Sequence, residues 1–91
     1  MQNRSYSLTK DEDNKCLVIE VSRELEKMVQ QAILELGLKT QSVKIDETIK
    51  NGQYLKTFKI YNIPFSRTSE FAWYMANWYS KNYALINFSL N

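Results

Sequence analysis

The sequence has no histidine, one cysteine, one proline and two glycines in 91 residues. Each scarcity closes off a class of chemistry. Without histidine, this chain cannot assemble a Ser-His-Asp or Cys-His nucleophile, nor a histidine-ligated metal centre. The lone Cys16 can form neither an internal disulfide framework nor a structural zinc site. In the strand-like run "KCLVIEVS" it reads as a structural thiol. Gly37 and Gly52 both fall where turns are expected, which leaves no glycine-rich loop to cradle a phosphate. The acidic stretch "DEDN" lacks the spacing of a calcium loop. Counted from Asp11, the sixth and twelfth positions are Cys16 and Ser22 where Gly and Glu are needed. The expectation is a protein without cofactor, metal or enzymatic activity.

Long hydrophobic runs are missing too. No segment approaches the ~18 apolar residues that span a bilayer. The first fifteen residues, "MQNRSYSLTKDEDNK", carry no apolar stretch of the kind that directs secretion. A cytoplasmic protein with no membrane partner is expected. With so little Gly and Pro, the chain reads as one domain, 1–91, small enough to fold with little margin.

Charge is nearly balanced but unevenly placed. Residues 1–38 hold five basic and seven acidic side chains; residues 39–67 hold six basic and two acidic. A mildly basic middle follows a mildly acidic start, which a solvated surface accounts for as well as a nucleic-acid partner does.

Two turns organise the chain. "KDEDNK" (10–15) separates "RSYSLT" from "CLVIEVS". A four-residue loop, Asp11–Asn14, places Leu8 opposite Leu17 and Tyr6 opposite Ile19, so that one face is apolar and the other mostly polar. "KNGQ" (50–53) carries Asn-Gly, the pair that tolerates positive φ at both turn positions. A two-residue loop there sets Ile49 opposite Tyr54, Glu47 opposite Lys56, Ile45 opposite Phe58 and Val43 opposite Ile60. The pair Glu47 and Lys56 reads as a cross-strand ion pair.

Between the hairpins, Leu25, Met28, Val29, Ala32, Ile33 and Leu36 follow helical spacing. Ser22 is the expected N-cap and Gly37 the left-handed stop; Leu34 points away from this stripe. Pro64 ends the second hairpin, and Ser66 is placed to cap a helix over about residues 67–82. "ALINFSL" then alternates, with Ala84, Ile86, Phe88 and Leu90 on one side. The fold class expected is α+β: two helices on one face of a mainly antiparallel sheet. The order is βαββαβ, ferredoxin-like, with an extra N-terminal strand (ββαββαβ). Residues 1–10 are that strand or an arm, and they compete for an edge of the first βαββαβ strand.

The densest feature is "FAWYMANWYSKNY" (71–83), which holds six of the twelve aromatic residues. At 100° per residue, Phe71, Tyr74, Met75 and Trp78 form a stripe, and Ala72, Tyr79 and Tyr83 widen it to about 200°. Trp73 lies outside even this arc, beside Glu70, Asn77 and Ser80. The candidate protein interface is therefore Trp73, Tyr74, Tyr79, Tyr83 and Leu34, with Trp73 and Leu34 forming one patch if the helices lie side by side. Self-association as a homodimer and a different protein partner fit this surface equally.

The element order resembles RNA-recognition motifs in outline, whose central strands stack bases on aromatic side chains. The matching segments are "LVIEVS" (17–22) and "KTFKIYNI" (56–63). Thr57 stands where that family's motif has Gly, Phe58 falls on the core side, and Val18 occupies the place of a second ring. The resemblance implies a single-stranded nucleic-acid surface of Lys44, Lys59 and Tyr61. The sequence thus leaves two functions open. One is a protein-binding regulator or stoichiometric inhibitor that covers its partner's surface, for which the Asn, Lys, Ile and Tyr content fits a phage or mobile-element source. The other is a single-strand binder.

Overall fold

A computed structural model describes residues 5–38 and 42–84 of the chain. Strands β1 (Tyr6–Asp11) and β2 (Cys16–Ser22) are followed by a 3-10 turn (Arg23–Leu25) and helix α1 (Glu26–Glu35). Strands β3 (Val43–Lys50) and β4 (Gln53–Tyr61) lead to helix α2 (Phe65–Tyr79), which runs on as a π-helical turn, Ser80–Ala84. All four strands are antiparallel in one sheet, in the order β1-β2-β4-β3. The α+β class expected from the sequence is what forms.

The N-terminal strand is part of the sheet: β1 lies along β2, on the side away from β4. The expected last strand began at Ala84, which the structure winds into helix; the rest of that segment, 85–90, lies outside the described residues.

The second hairpin has the register read from its turn, Val43 against Ile60 through Ile49 against Tyr54. Asn51 and Gly52 sit at φ 52° and 75°, the conformation a two-residue turn demands. Nothing lies within 4 Å of a Cβ built on Gly52, so a side chain there meets backbone strain and no clash. Gly52→Val is expected to cost about 1–2 kcal/mol, read as a lower urea midpoint at unchanged slope.

The first hairpin differs from expectation by two residues. Tyr6 pairs with Val21, Leu8 with Ile19, and Asp11 with Cys16. The loop is Glu12–Lys15, closed by Lys15 at φ 53° and by the Asp11 carboxylate, which accepts from the Asn14 backbone at 3.2 Å and its side-chain amide at 2.8 Å. Because the slip is even, every side chain keeps its face.

One side of the sheet is therefore dry. Leu17, Ile19 and Val21 of β2 and Phe58 and Ile60 of β4 meet Leu25, Met28, Val29 and Ala32 near α1 and Phe71 and Met75 of α2. The α1 terminus closes as expected: Gly37 has φ 67°, its N–H donates to Leu34, and the Leu38 N–H donates to Ile33, the paired bonds of a Schellman end. The Arg67 guanidinium also donates to the Leu36 carbonyl, fastening α2 to that end.

The two expected N-caps do not form. The Ser22 hydroxyl accepts from the Ser5 N–H at 3.2 Å and extends the β1–β2 pairing. Helix α2 starts at Phe65, before Ser66 can cap it, with Pro64 in extended conformation at its head.

Candidate functional site

Helix α2 distributes its described rings among three surroundings. Phe71 and Met75 are fully buried against the sheet. Tyr74, Trp78, Tyr79 and Tyr83 are half-buried and pack on the edge of that core. The Trp78 indole N–H donates to Gln31 Oε1 at 2.9 Å, so this flank of α2 faces α1. Tyr79 packs tilted against Tyr6 of β1, with centroids 5.8 Å apart. Tyr83 contacts Trp78 at 6.1 Å and Tyr79 at 5.2 Å. The wider π turn permits this double contact, since it brings residues four and five positions apart onto one side. Most of the aromatic surplus thus clusters at the C-terminal end of α2.

Trp73 does not join that cluster. It is 69% exposed. Five residues before Trp78, it is turned about 140° from the flank that faces α1. Ser69, Glu70, Ala76 and Ser80 surround it on the outer face, all exposed. One large ring thus stands among Ser, Ala, Asn and a single charge, and only the tryptophan belongs to the residue types enriched at interfaces.

Leu34 is 76% exposed but belongs to a different place. It lines an apolar groove between α1 and β3 with Gln30, Ile33, Val43, Ile45 and Phe58. The helices do lie side by side, yet Leu34 leans towards β3 and Trp73 towards the far flank of α2. The five expected interface residues therefore separate into the Trp73 face, the half-buried tyrosines, and the groove at Leu34. The sequence reading missed the exposure of Ile45 (50%) and Ile49 (71%) on β3. Their alternation with charged residues marked a dry face without showing that the helices fail to reach the outermost strand.

On the opposite side of the sheet, Lys44, Lys59 and Tyr61 do share one face. Lys44 stands directly opposite Lys59, Lys59 opposite Val18, and Tyr61 opposite Cys16. Cys16 is buried and lines a shallow cleft at the first turn with Lys10, Asp11, Asn62 and Thr68. Burial pushes its thiol above the ordinary value, which opposes reactivity.

The pair Glu47 and Lys56 forms, at 3.7 Å, within a larger cluster. Lys56 is bonded more closely to Glu26 of α1, and that carboxylate holds its ammonium above the ordinary value. A hydrogen bond from the Tyr54 hydroxyl, with Lys56 assisting, holds the Glu47 carboxyl below its usual value. Arg23 stacks on the Tyr54 ring at 4.5 Å. Each charge in the cluster has an opposite neighbour, as in a structural ion-pair network. Among the described residues, no group of three or more acidic or cysteine side chains could hold a metal ion, and no helix is long and apolar enough to cross a membrane.

No family model, curated protein or solved structure matches this chain.

Proposed function

We propose that this protein is a small, non-enzymatic binding module, a regulator or stoichiometric inhibitor in the cytoplasm, that works by covering a surface of a protein partner. The observation that carries this reading is Trp73, a large ring left in water on the outer face of a helix whose other described rings pack. Tryptophan is enriched among the residues that dominate binding energy, because its area is large and its rotamers few. The flanking Ser69, Ala76 and Ser80 are small and exposed, and Trp73 is the one large apolar side chain among them. The test is retention of a protein from the native host on the immobilised wild-type chain, with the Trp73→Ala variant and an exposed α1 control, Lys27→Ala, run beside it. The reading requires a protein held by wild type and Lys27→Ala and released by Trp73→Ala. Equal retention by all three contradicts it.

A second reading rests on a separate observation, the direct opposition of Lys44 and Lys59. Like charges in a cross-strand pair repel, and a phosphate between them removes the repulsion. Tyr61 on the same face offers a stacking surface, so the second reading is a single-stranded nucleic-acid binder. It predicts affinity for a single-stranded oligonucleotide that falls steeply with salt, and a shallower salt slope, by about one, for Lys59→Ala. Absence of binding at low salt removes it.

A further inference from the structure

Strand β3 is at the edge of the sheet, with β4 on one side and no strand of the described residues on the other. It is eight residues long and contains neither proline nor a bulge. Proteins usually blunt such an edge, because its unpaired backbone groups are a template for another strand. Here the edge also carries Ile45 and Ile49, both at least half exposed.

Which backbone groups point away from β4 follows from the turn. In a two-residue hairpin the closing pair, Lys50 and Gln53, exchanges hydrogen bonds, and bonded pairs then alternate along the ladder. The N–H and C=O groups of Val43, Ile45, Glu47 and Ile49 therefore point outwards. An incoming antiparallel strand must place its own outward residues opposite these.

We propose that the strand it meets is β3 of a second copy, paired antiparallel about Ile45. This goes beyond the binding reading above and does not depend on it, since Trp73 lies on the far flank of the helical layer. A self-complementary contact of this kind generates a closed two-fold dimer.

Charge and apolar matching together select the register. With Ile45 opposite itself, Lys44 faces Asp46 of the second copy on the open side, twice by symmetry. The effect spreads across the sheet. Within one chain Asp46, Thr57 and Glu20 form one row, and Lys44, Lys59 and Val18 the next. In the dimer the acidic row of each copy runs into the basic row of the other, which offsets the opposition of Lys44 and Lys59. On the helix side, Ile45 meets Ile45 of the second copy beside the groove lined by Leu34 and Val43. Other registers match less well. Centred on Lys44, two lysines oppose each other; centred on Asp46, two aspartates do; centred on Glu47, two glutamates do, and Lys44 faces Lys50. Centred on Thr48, Asp46 meets a Lys50 that Glu20 of its own chain already holds, and Ile49 faces Glu47 in place of an apolar partner.

The test is sedimentation velocity of the full chain over a concentration series, with circular dichroism as the check on folding. Wild type is expected to dimerise, and Ile45→Lys to be monomeric with an unchanged spectrum. Lys44→Asp and Asp46→Lys are each expected to weaken the dimer about tenfold or more, since each turns two attractive contacts into two repulsive ones. Lys44→Asp also faces Lys59 of its own chain, so lost dimer cannot be put down to a weakened fold. The double variant, and an equimolar mixture of the two single variants, are expected to recover wild-type association. A wild-type monomer at every concentration overturns the proposal. So does a dimer that either single variant leaves unchanged or strengthens, or that the double variant does not restore. Failure of the Trp73 retention experiment leaves these outcomes untouched.

Discussion

Phe58→Ala is expected to lose about 3–5 kcal/mol of stability, the range for removing a fully buried phenylalanine. Phe58 stands on β4 between Ile19 and Ile45 in the sheet register and is wholly inaccessible. Its ring joins the two inner strands to the helices, and the pairing of β4 with β2 and β3 limits how far its neighbours can close over the void. A chain of this size has about 5–14 kcal/mol in total, so the loss takes from about a fifth of its stability to all of it. For a domain of this length the loss corresponds to a melting temperature lower by at least about 12 °C. Calorimetry or thermal circular dichroism reads it directly. A shift of only a few degrees would mean that Phe58 is not at the centre of the core.

Trp73→Ala is expected to do the opposite on both counts. An exposed side chain away from caps and networks changes stability by no more than about 0.5 kcal/mol, and alanine favours a helix more than tryptophan does. The melting temperature should therefore stay or rise slightly. Binding to the protein partner should fall by at least about 30-fold, the loss of 2 kcal/mol or more that marks a residue on which an interface depends. Phe71→Ala, two residues earlier on the buried stripe of the same helix, should destabilise the fold and so lose binding only through unfolding. The pair separates a contact surface from a core surface on one helix. Unimpaired binding by Trp73→Ala removes the ring from the interface.

What the sequence disclosed depended on how local the cause was. Asn51 and Gly52 fix their turn by their own conformational freedom, and the register of β3 against β4 followed without error. The first hairpin slipped by two residues because its closure rests on the Asp11 side chain gripping Asn14 and on Lys15 adopting positive φ. Asp at the head of a turn is a common choice, but nothing in the residue type marks Lys15 for positive φ. Both readings nonetheless give the same dry face, since the faces depend only on parity. Gly37 was legible for the same reason as Gly52. Ser22 was not, because its hydroxyl is taken by Ser5, a contact seventeen residues away. The exposure of Trp73 followed from helical angle alone. The separation of Leu34 from Trp73, and the exposure of Ile45 and Ile49 on β3, depend on how far the two helices extend across the sheet of the described residues, and no short stretch of sequence encodes that distance.

As the contact residue, Trp73 must stand in water in the free protein and not in the complex. Solvent quenching of its fluorescence measures this most directly, in a Trp78→Phe variant that leaves Trp73 as the lone indole, since the chain has two tryptophans. A neutral soluble quencher should reduce the emission of the free protein nearly as strongly as that of the unfolded chain, and the partner should protect it. Emission that resists the quencher in the free, folded protein would place Trp73 inside the molecule and contradict the account.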